Sequence, residues 1–234
     1  MATSEFDLEV LSAGAPRNGV MGCVDAFATA SGLRTDPQFA TAPVLREKVT
    51  GGEWTGDAIV APLPVLDTFA AAGAILADRR APVGSIRAGV VVPADAPDPK
   101  IGTPEELRES LLAADMVVHN VASSGIYIKT MLEDMGLATD LADKIVCTPT
   151  GSAVVETVAQ NSGVTVIGFG QSTEIQRLAH LGARLAGPLP GNLAKSTTYA
   201  AAIRAGGDEA AAGQFLEFLE SDAAREILTA AGIE

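Results

Sequence analysis

Short apolar runs alternate with stretches of helical periodicity along almost the whole chain. Leu8 to Ser12 reads as a strand, followed by Ala13-Gly14-Ala15-Pro16. Val20, Cys23, Val24, Phe27 and Ala28 then recur at i, i+3, i+4, i+7 and i+8, the stripe of an amphipathic helix with a proline near its start. A short strand near Gln38 to Thr41 leads into a helix carrying Val44, Leu45 and Val49. "DAIVAPL" is a third strand, and "PVLDTFAAAG" a helix that Gly73 ends. "SIRAGVVVPADAP" is a strand with a proline-rich exit. "TPEELRESLLAA" starts a helix, with Thr103 as N-cap, Pro104 in the first turn and Glu106 completing a capping box.

The second half repeats the alternation. "MVVHNV" is a strand, and Ala122-Ser123-Ser124-Gly125 links it to a helix whose inner face is Ile128, Met131, Leu132 and Met135, stopped by Gly136. "KIVCTP" and "VTVIGFG" are strands around a helix bearing Val154, Val155 and Val158. "QSTEIQRLAHLG" is expected as a helix capped by Ser172 and closed by Gly182. "TTYAAAI" is a strand, and two helices follow, the second from Ser221-Asp222. Strand–helix alternation implies parallel-rich sheets covered by helices on both faces. Ligands of such sheets bind at the carboxyl ends of strands, against helix N-termini with unsatisfied N–H groups and a positive dipole end. Four junctions have that character: Ser12-Ala13-Gly14, Thr41-Ala42-Pro43, Ser123-Ser124-Gly125 and Gly170-Gln171-Ser172. Capping alone explains any one of them; four together point to several converging on one ligand.

Bulk numbers narrow the ligand. With 234 residues, 47% hydrophobic and 19% charged, the chain can bury a substantial core as one large or two small domains. Its 29 acidic against 16 basic residues, a net −13, argue against nucleic acid or an anionic membrane surface as partner. A small anion stays open, because a few aimed N–H groups outweigh a diffuse field. Cys23 and Cys147 form no disulfide framework, His119 and His180 are isolated, and no metal-ligand spacing appears, so no metal and no cofactor are expected. No apolar run reaches the roughly 18–20 residues of a membrane span. "MATSEFDLEVLSAGAP" carries neither a basic n-region nor an apolar h-region. As given, the chain is expected in the cytoplasm; as a trimmed mature form it belongs in the periplasm.

"LEVLSAGAP", "FATAPVLREKVTGGEWTGDAIVAPLPVLDTFAAAG", "ASSGIYIKTMLEDMG", "PLPGNLAKSTTYAAAI" and "FLEFLESDAAREILTAAGIE" stand in an order that resembles one family. It is the molybdate-type extracellular solute-binding proteins, of the type II periplasmic-binding fold, which include an aconitate-isomerase-like branch. The resemblance implies an α/β architecture of two lobes, with two mixed or parallel sheets, two crossover strands near Arg87–Val92 and Thr197–Ile203, and a ligand cleft between the lobes. Lobe one is expected at residues 1–86 plus 200–234, lobe two at 87–199. Carried over, the anion contacts are Ser12 and Ala13, then Thr41 and Ala42, then Ser124, Gly125, Ile126 and Tyr127. Gly14, Ser123, Gly170 and Gln171 join them from the junction pattern. Molybdate binders of the family usually place a serine in the second turn; here Thr41 is followed by Ala42 and by Pro43, which lacks an N–H. The third turn is shorter than the common "ASGGxSG". These departures leave an oxyanion or a carboxylate open.

Arg17, in the first turn of the first helix, stands where the dipole disfavours a cation; a ligand carboxylate held by Arg17 and the turn accounts for it, against the plain reading of a solvated side chain. His119, Tyr127 and Glu174 are the candidate proton carriers if the chain is an enzyme, each with a structural alternative: a hydrogen-bonded core histidine, a packed ring, and a helix-dipole carboxylate. Two functions follow. One is a two-lobed receptor for a small anion, with a membrane transporter as partner if exported. The other is a soluble isomerase of a small unsaturated carboxylic acid, holding carboxylates with turn N–H groups and Arg17 and stabilising enolate-like charge.

Overall fold

The computed structural model describes residues 5–234, apart from the side chain of Ser123. The chain runs β1 (Leu8–Ala13), α1 (Arg17–Ser31), β2 (Thr35–Ala40), α2 (Ala42–Thr50), β3 (Ala58–Pro62), α3 (Leu63–Ala71) and β4 (Ile75–Pro93). It continues with α4 (Pro104–Ala113), β5 (Met116–Asn120), α5 (Ser123–Asp134), β6 (Ile145–Thr148), α6 (Gly151–Gln160), β7 (Val166–Gln171) and α7 (Ser172–Arg177). Last come β8 (Ala183–Pro188), β9 (Ser196–Arg204), α8 (Glu209–Leu219) and α9 (Asp222–Ala230). The described residues divide into two compact units, one comprising those up to Ile86 together with Thr197–Glu234, the other Arg87–Ser196. β4 leads out of the first unit, and the chain returns to it at the start of β9.

In the first unit, β1 is central, parallel to β2 on one side and β3 on the other, and β9 runs antiparallel to β3. β3 is buried at every position, as a strand covered on both faces must be. β2 begins three residues earlier than the apolar pattern indicates, because "TDPQFA" gains its place by pairing with β1. It is paired only with β1 among the described strands, so Pro37 costs no ladder bond on its open side. α1 buries Val20, Cys23, Val24 and Phe27, the stripe read from the sequence. Phe27 meets Phe215 of α8 edge-on at 5.4 Å between ring centroids.

In the second unit β5 lies between parallel neighbours β6 and β7, and β4 pairs antiparallel with β7 and β8. Helices cover both faces. Val117 joins a core with Leu107, Leu111, Ile128, Met131 and Leu132, while Val118 faces Val154, Val155 and Val158. One helix departs from expectation. α7 stops at Arg177 and gives way to a 3₁₀ turn, Ala179–Leu181, before Gly182 closes it at φ 100°. Ser172 opens that helix rather than capping it, since Gln171 holds the N-cap position. Ile175 and Leu178 are buried but Leu181 is 40% exposed, so no apolar face holds a last α-turn in place.

Candidate functional site

Helix N-termini in this chain fall into two groups. Thr103 of α4 accepts the Glu106 N–H at 3.1 Å, and Thr150 of α6 accepts that of Ala153 at 3.0 Å. Asp208 of α8 accepts from Ala210 and Ala211, and Ser221 of α9 from Ala224. These are ordinary caps, and α4, α8 and α9 add acidic residues in their first turns. The Glu106 carboxylate reaches the Gly102 N–H rather than that of Thr103, a capping box displaced by one residue. By contrast α1, α2 and α5 have no side-chain cap and no acid in the first turn. They are the helices at the first three junctions nominated by sequence. α3 is uncapped too, but Pro62 and Pro64 remove two of its donors.

At the first junction Ser12 and Ala13 belong to β1, one residue further than expected. Ser12 is fully buried, pairs with Phe39 and Val60 in register, and its Oγ donates to the Ala13 carbonyl at 3.0 Å. Its oxygen lone pairs stay available as acceptors. Gly14 begins the turn, with the Arg17 N–H closing onto its carbonyl at 3.3 Å. Pro16 holds the N-cap position, where it offers no side-chain acceptor. Arg17 is exposed, and its guanidinium stands 4.5 Å from the centre of the Phe39 ring. Among the described residues no carboxylate pairs with it. At the second junction Thr41 is the extended N-cap of α2, its hydroxyl makes no cap bond, and Pro43 removes one first-turn donor. Ala42 is the first residue of this helix.

The third junction is built by a residue that the sequence pattern passed over. Asn120, 2% exposed at the end of β5, accepts the Ala122 N–H on Oδ1 at 2.8 Å and points Nδ2 at Ser124 Oγ, 3.4 Å away. Asparagine followed two residues later by a turn is the Asx signature, which was there to be read. α5 begins at Ser123, so Ser123, Ser124 and Gly125 form its first turn instead of preceding it. The side chain of Ser123 lies outside the described residues. A Cβ on Gly125 would strike the Asn120 carbonyl, so only glycine allows this close passage. The Ile126 N–H is taken by the Ala122 carbonyl at 3.0 Å, and its side chain is 62% exposed. Ser124 and Gly125 N–H have no acceptor among the described groups.

The fourth junction differs. Gly170 and Gln171 lie buried in β7, and Gln171 pairs with Ala88 of β4. Glu174 already occupies the first turn of α7; its Oε1 accepts from Ser152 Oγ at 2.8 Å and lies 3.8 Å from Arg177. The other two candidate proton carriers also have structural partners. Tyr127 Oη donates to the Leu193 carbonyl at 2.9 Å, and burial, with Asp134 adding to it, raises the phenol's pKa above its ordinary value. His119 is 6% exposed, with Nδ1 3.1 Å from the Asn120 carbonyl and 3.9 Å from Cys147 Sγ. No helix among the described residues is long and apolar enough to cross a membrane.

Compared with known proteins, residues 8–234 match the family model described as bacterial extracellular solute-binding protein. The chain belongs to that family. Two solved structures give this solute-binding protein its fold, the type II periplasmic-binding fold. The periplasmic molybdate-binding protein of Azotobacter vinelandii is similar with a TM-score of 0.77 at 17% identity, over 97% of this chain and 99% of that one. The substrate-binding domain of a molybdenum ABC transporter from Clostridium difficile, itself described as putative, has a TM-score of 0.71 at 15% identity, over 97% of both chains. An aconitate isomerase from Pseudomonas sp is 27% identical over 94% of this chain and 85% of its own length.

Proposed function

We propose that this solute-binding protein takes a small oxyanion or carboxylate. The uncapped starts, at Gly14, at Thr41–Ala42 and at Ser124–Gly125, each offer donors for such a group. The observation that carries the reading is the division of helix starts. Four helices are closed by their own side chains, while α1, α2 and α5 keep uncapped first turns with no acid in them. An anion satisfies such N–H groups and the dipole together. Gly170 and Gln171 join the ligand only as backbone neighbours, since Glu174 already serves the α7 start. On this reading the protein works outside the cytoplasm and delivers its ligand to a membrane transporter, as family membership supports. The test is a thermal-shift screen with molybdate, tungstate, sulfate, citrate and the aconitates. Ligand at roughly 100 times Kd adds about 2.7 kcal/mol, a rise of roughly 5–10 °C at this size. A flat response to all of them would sink the proposal.

A second reading is favoured by the isomerase relative and by Arg17, a cation with no carboxylate partner among the described residues. Here the chain shifts a double bond in a small unsaturated carboxylic acid, taking a proton from one carbon and returning it to another, with no cofactor. Of the three candidate carriers, Glu174 and Tyr127 are engaged elsewhere, and His119 keeps Nε2 without a described partner. Proton NMR of the aconitates in deuterated water decides it. Double-bond movement or deuterium incorporation that disappears in His119→Gln supports catalysis; aconitate unchanged in both double-bond position and deuterium content excludes it.

A further inference from the structure

β6 ends the strand order of the second unit, paired with β5 alone among the described strands, and its Cys147 is exposed. Across the ladder Cys147 stands in register with His119 of β5, which is buried. His119 Nδ1 lies 3.9 Å from Cys147 Sγ and 3.1 Å from the Asn120 carbonyl. A carbonyl oxygen accepts and never donates, so the shorter contact places the hydrogen on Nδ1. The same N–H therefore stands beside the sulfur. A thiol is a weak acceptor for it; a thiolate is a strong one, and the thiolate is the nucleophile. Burial of the imidazole and its bond to Asn120 hold the donor in place, while the sulfur stays open to solvent. Cys23 is the opposite case in the same chain. It is fully buried, its Sγ lies 3.8 Å from the Ala224 carbonyl, and desolvation pushes its thiol up to about 11.

We propose that Cys147 is a modification site, which takes up a small thiol by exchange with a low-molecular-weight disulfide while the His119 N–H holds the attacking thiolate. Cys147 gives its proton to solvent, and its sulfur bonds to one sulfur of the disulfide. The disulfide's own S–S bond breaks, and its other half leaves as a thiolate that takes up a proton. Cys147 is oxidised to the mixed disulfide, the leaving half is reduced, and no other oxidant is consumed. The same exchange with a free thiol reverses it. The site is independent of the anion-binding reading.

Glutathione disulfide is the probe, at pH 6, where an ordinary thiol is almost wholly protonated. Peptide mapping by mass spectrometry follows each cysteine separately. Cys147 of the native protein is expected to react roughly 3- to 10-fold faster than the same cysteine in urea. His119→Gln should remove that advantage. His119→Asn, whose shorter side chain carries an amide N–H to the place of Nδ1, should recover part of it. Cys23 stays unlabelled in every folded variant, so a variant that has lost its fold shows itself in the same map. The comparison of native with unfolded wild type stands without the variants: a native Cys147 no faster than in urea overturns the proposal. A native advantage that survives in His119→Gln, with Cys23 still unlabelled, overturns the part given to His119.

Discussion

Two substitutions in the same unit, Thr150→Ala and Ser124→Ala, separate a helix start that serves the fold from one that serves a ligand. Thr150 Oγ1 accepts the Ala153 N–H at 3.0 Å, and its loss costs about 1 kcal/mol. For a chain of this size that lowers the melting temperature by roughly 2–4 °C. Anion affinity should not change. Ser124 Oγ has only the long 3.4 Å approach of Asn120 Nδ2, outside the usual range for a firm hydrogen bond. Its removal should cost less than about 0.5 kcal/mol of stability. If the hydroxyl instead donates to a bound anion, a charge-assisted hydrogen bond of about 1.5–3 kcal/mol disappears. That is roughly a 10- to 150-fold rise in Kd. Thermal melts of both variants and calorimetric titration with citrate and sulfate supply the numbers. The reasoning fails if Ser124→Ala melts as low as Thr150→Ala and binds both anions as well as wild type, because Ser124 is then a structural residue.

Gly125→Ala places a methyl group against the Asn120 carbonyl; the turn must open, costing about 1–3 kcal/mol and lowering affinity for every anion bound, which melts and titrations measure together. The two thiols should behave oppositely. Cys23 is fully buried and its thiol is pushed up to about 11 by desolvation, whereas Cys147 is exposed, so a disulfide reagent at pH 8 should label one thiol in the native protein and two in urea. Asp7 is held at about pKa 2, against 3.8 ordinarily, by hydrogen bonds from Arg34. Because the folded value is depressed, its contribution is complete above about pH 4 and fades as pH falls toward 2. Both side chains are exposed, so 1 M salt should move the carboxyl's NMR titration back toward its ordinary midpoint, and a midpoint that starts near 4 would refute the pairing.

The alternation of strands and helices was legible where an element shows one buried stripe or one fully covered run: Val20, Cys23, Val24 and Phe27 for α1, "AIVAP" for β3. Local chemistry at Thr103 and Gly182 was legible for the same reason, since capping and left-handed turns depend on few neighbours. β2 and β8 were harder to place because partner strands, not their own apolar content, hold them. The "ASSG" stretch shows where sequence reasoning ran out. Two serines before a helix read as caps, but α5 starts at the first of them, and Asn120 organises the turn from the strand side. The aromatic seat of Arg17 was hidden as well, since Phe39 is 22 residues away in sequence. What sequence did supply were the three helix starts that proved to lack caps.

Backbone amide shifts on titration with citrate test the central claim most directly, because the proposed donors are themselves the reporters. The account predicts the largest movements at Gly14, Arg17, Ala42, Ser124 and Gly125, with little change at the capped starts of α4, α6, α8 and α9. Movements confined to other surfaces, such as the groove lined by Asp95, Asp98, Asp115 and Val164, would contradict it.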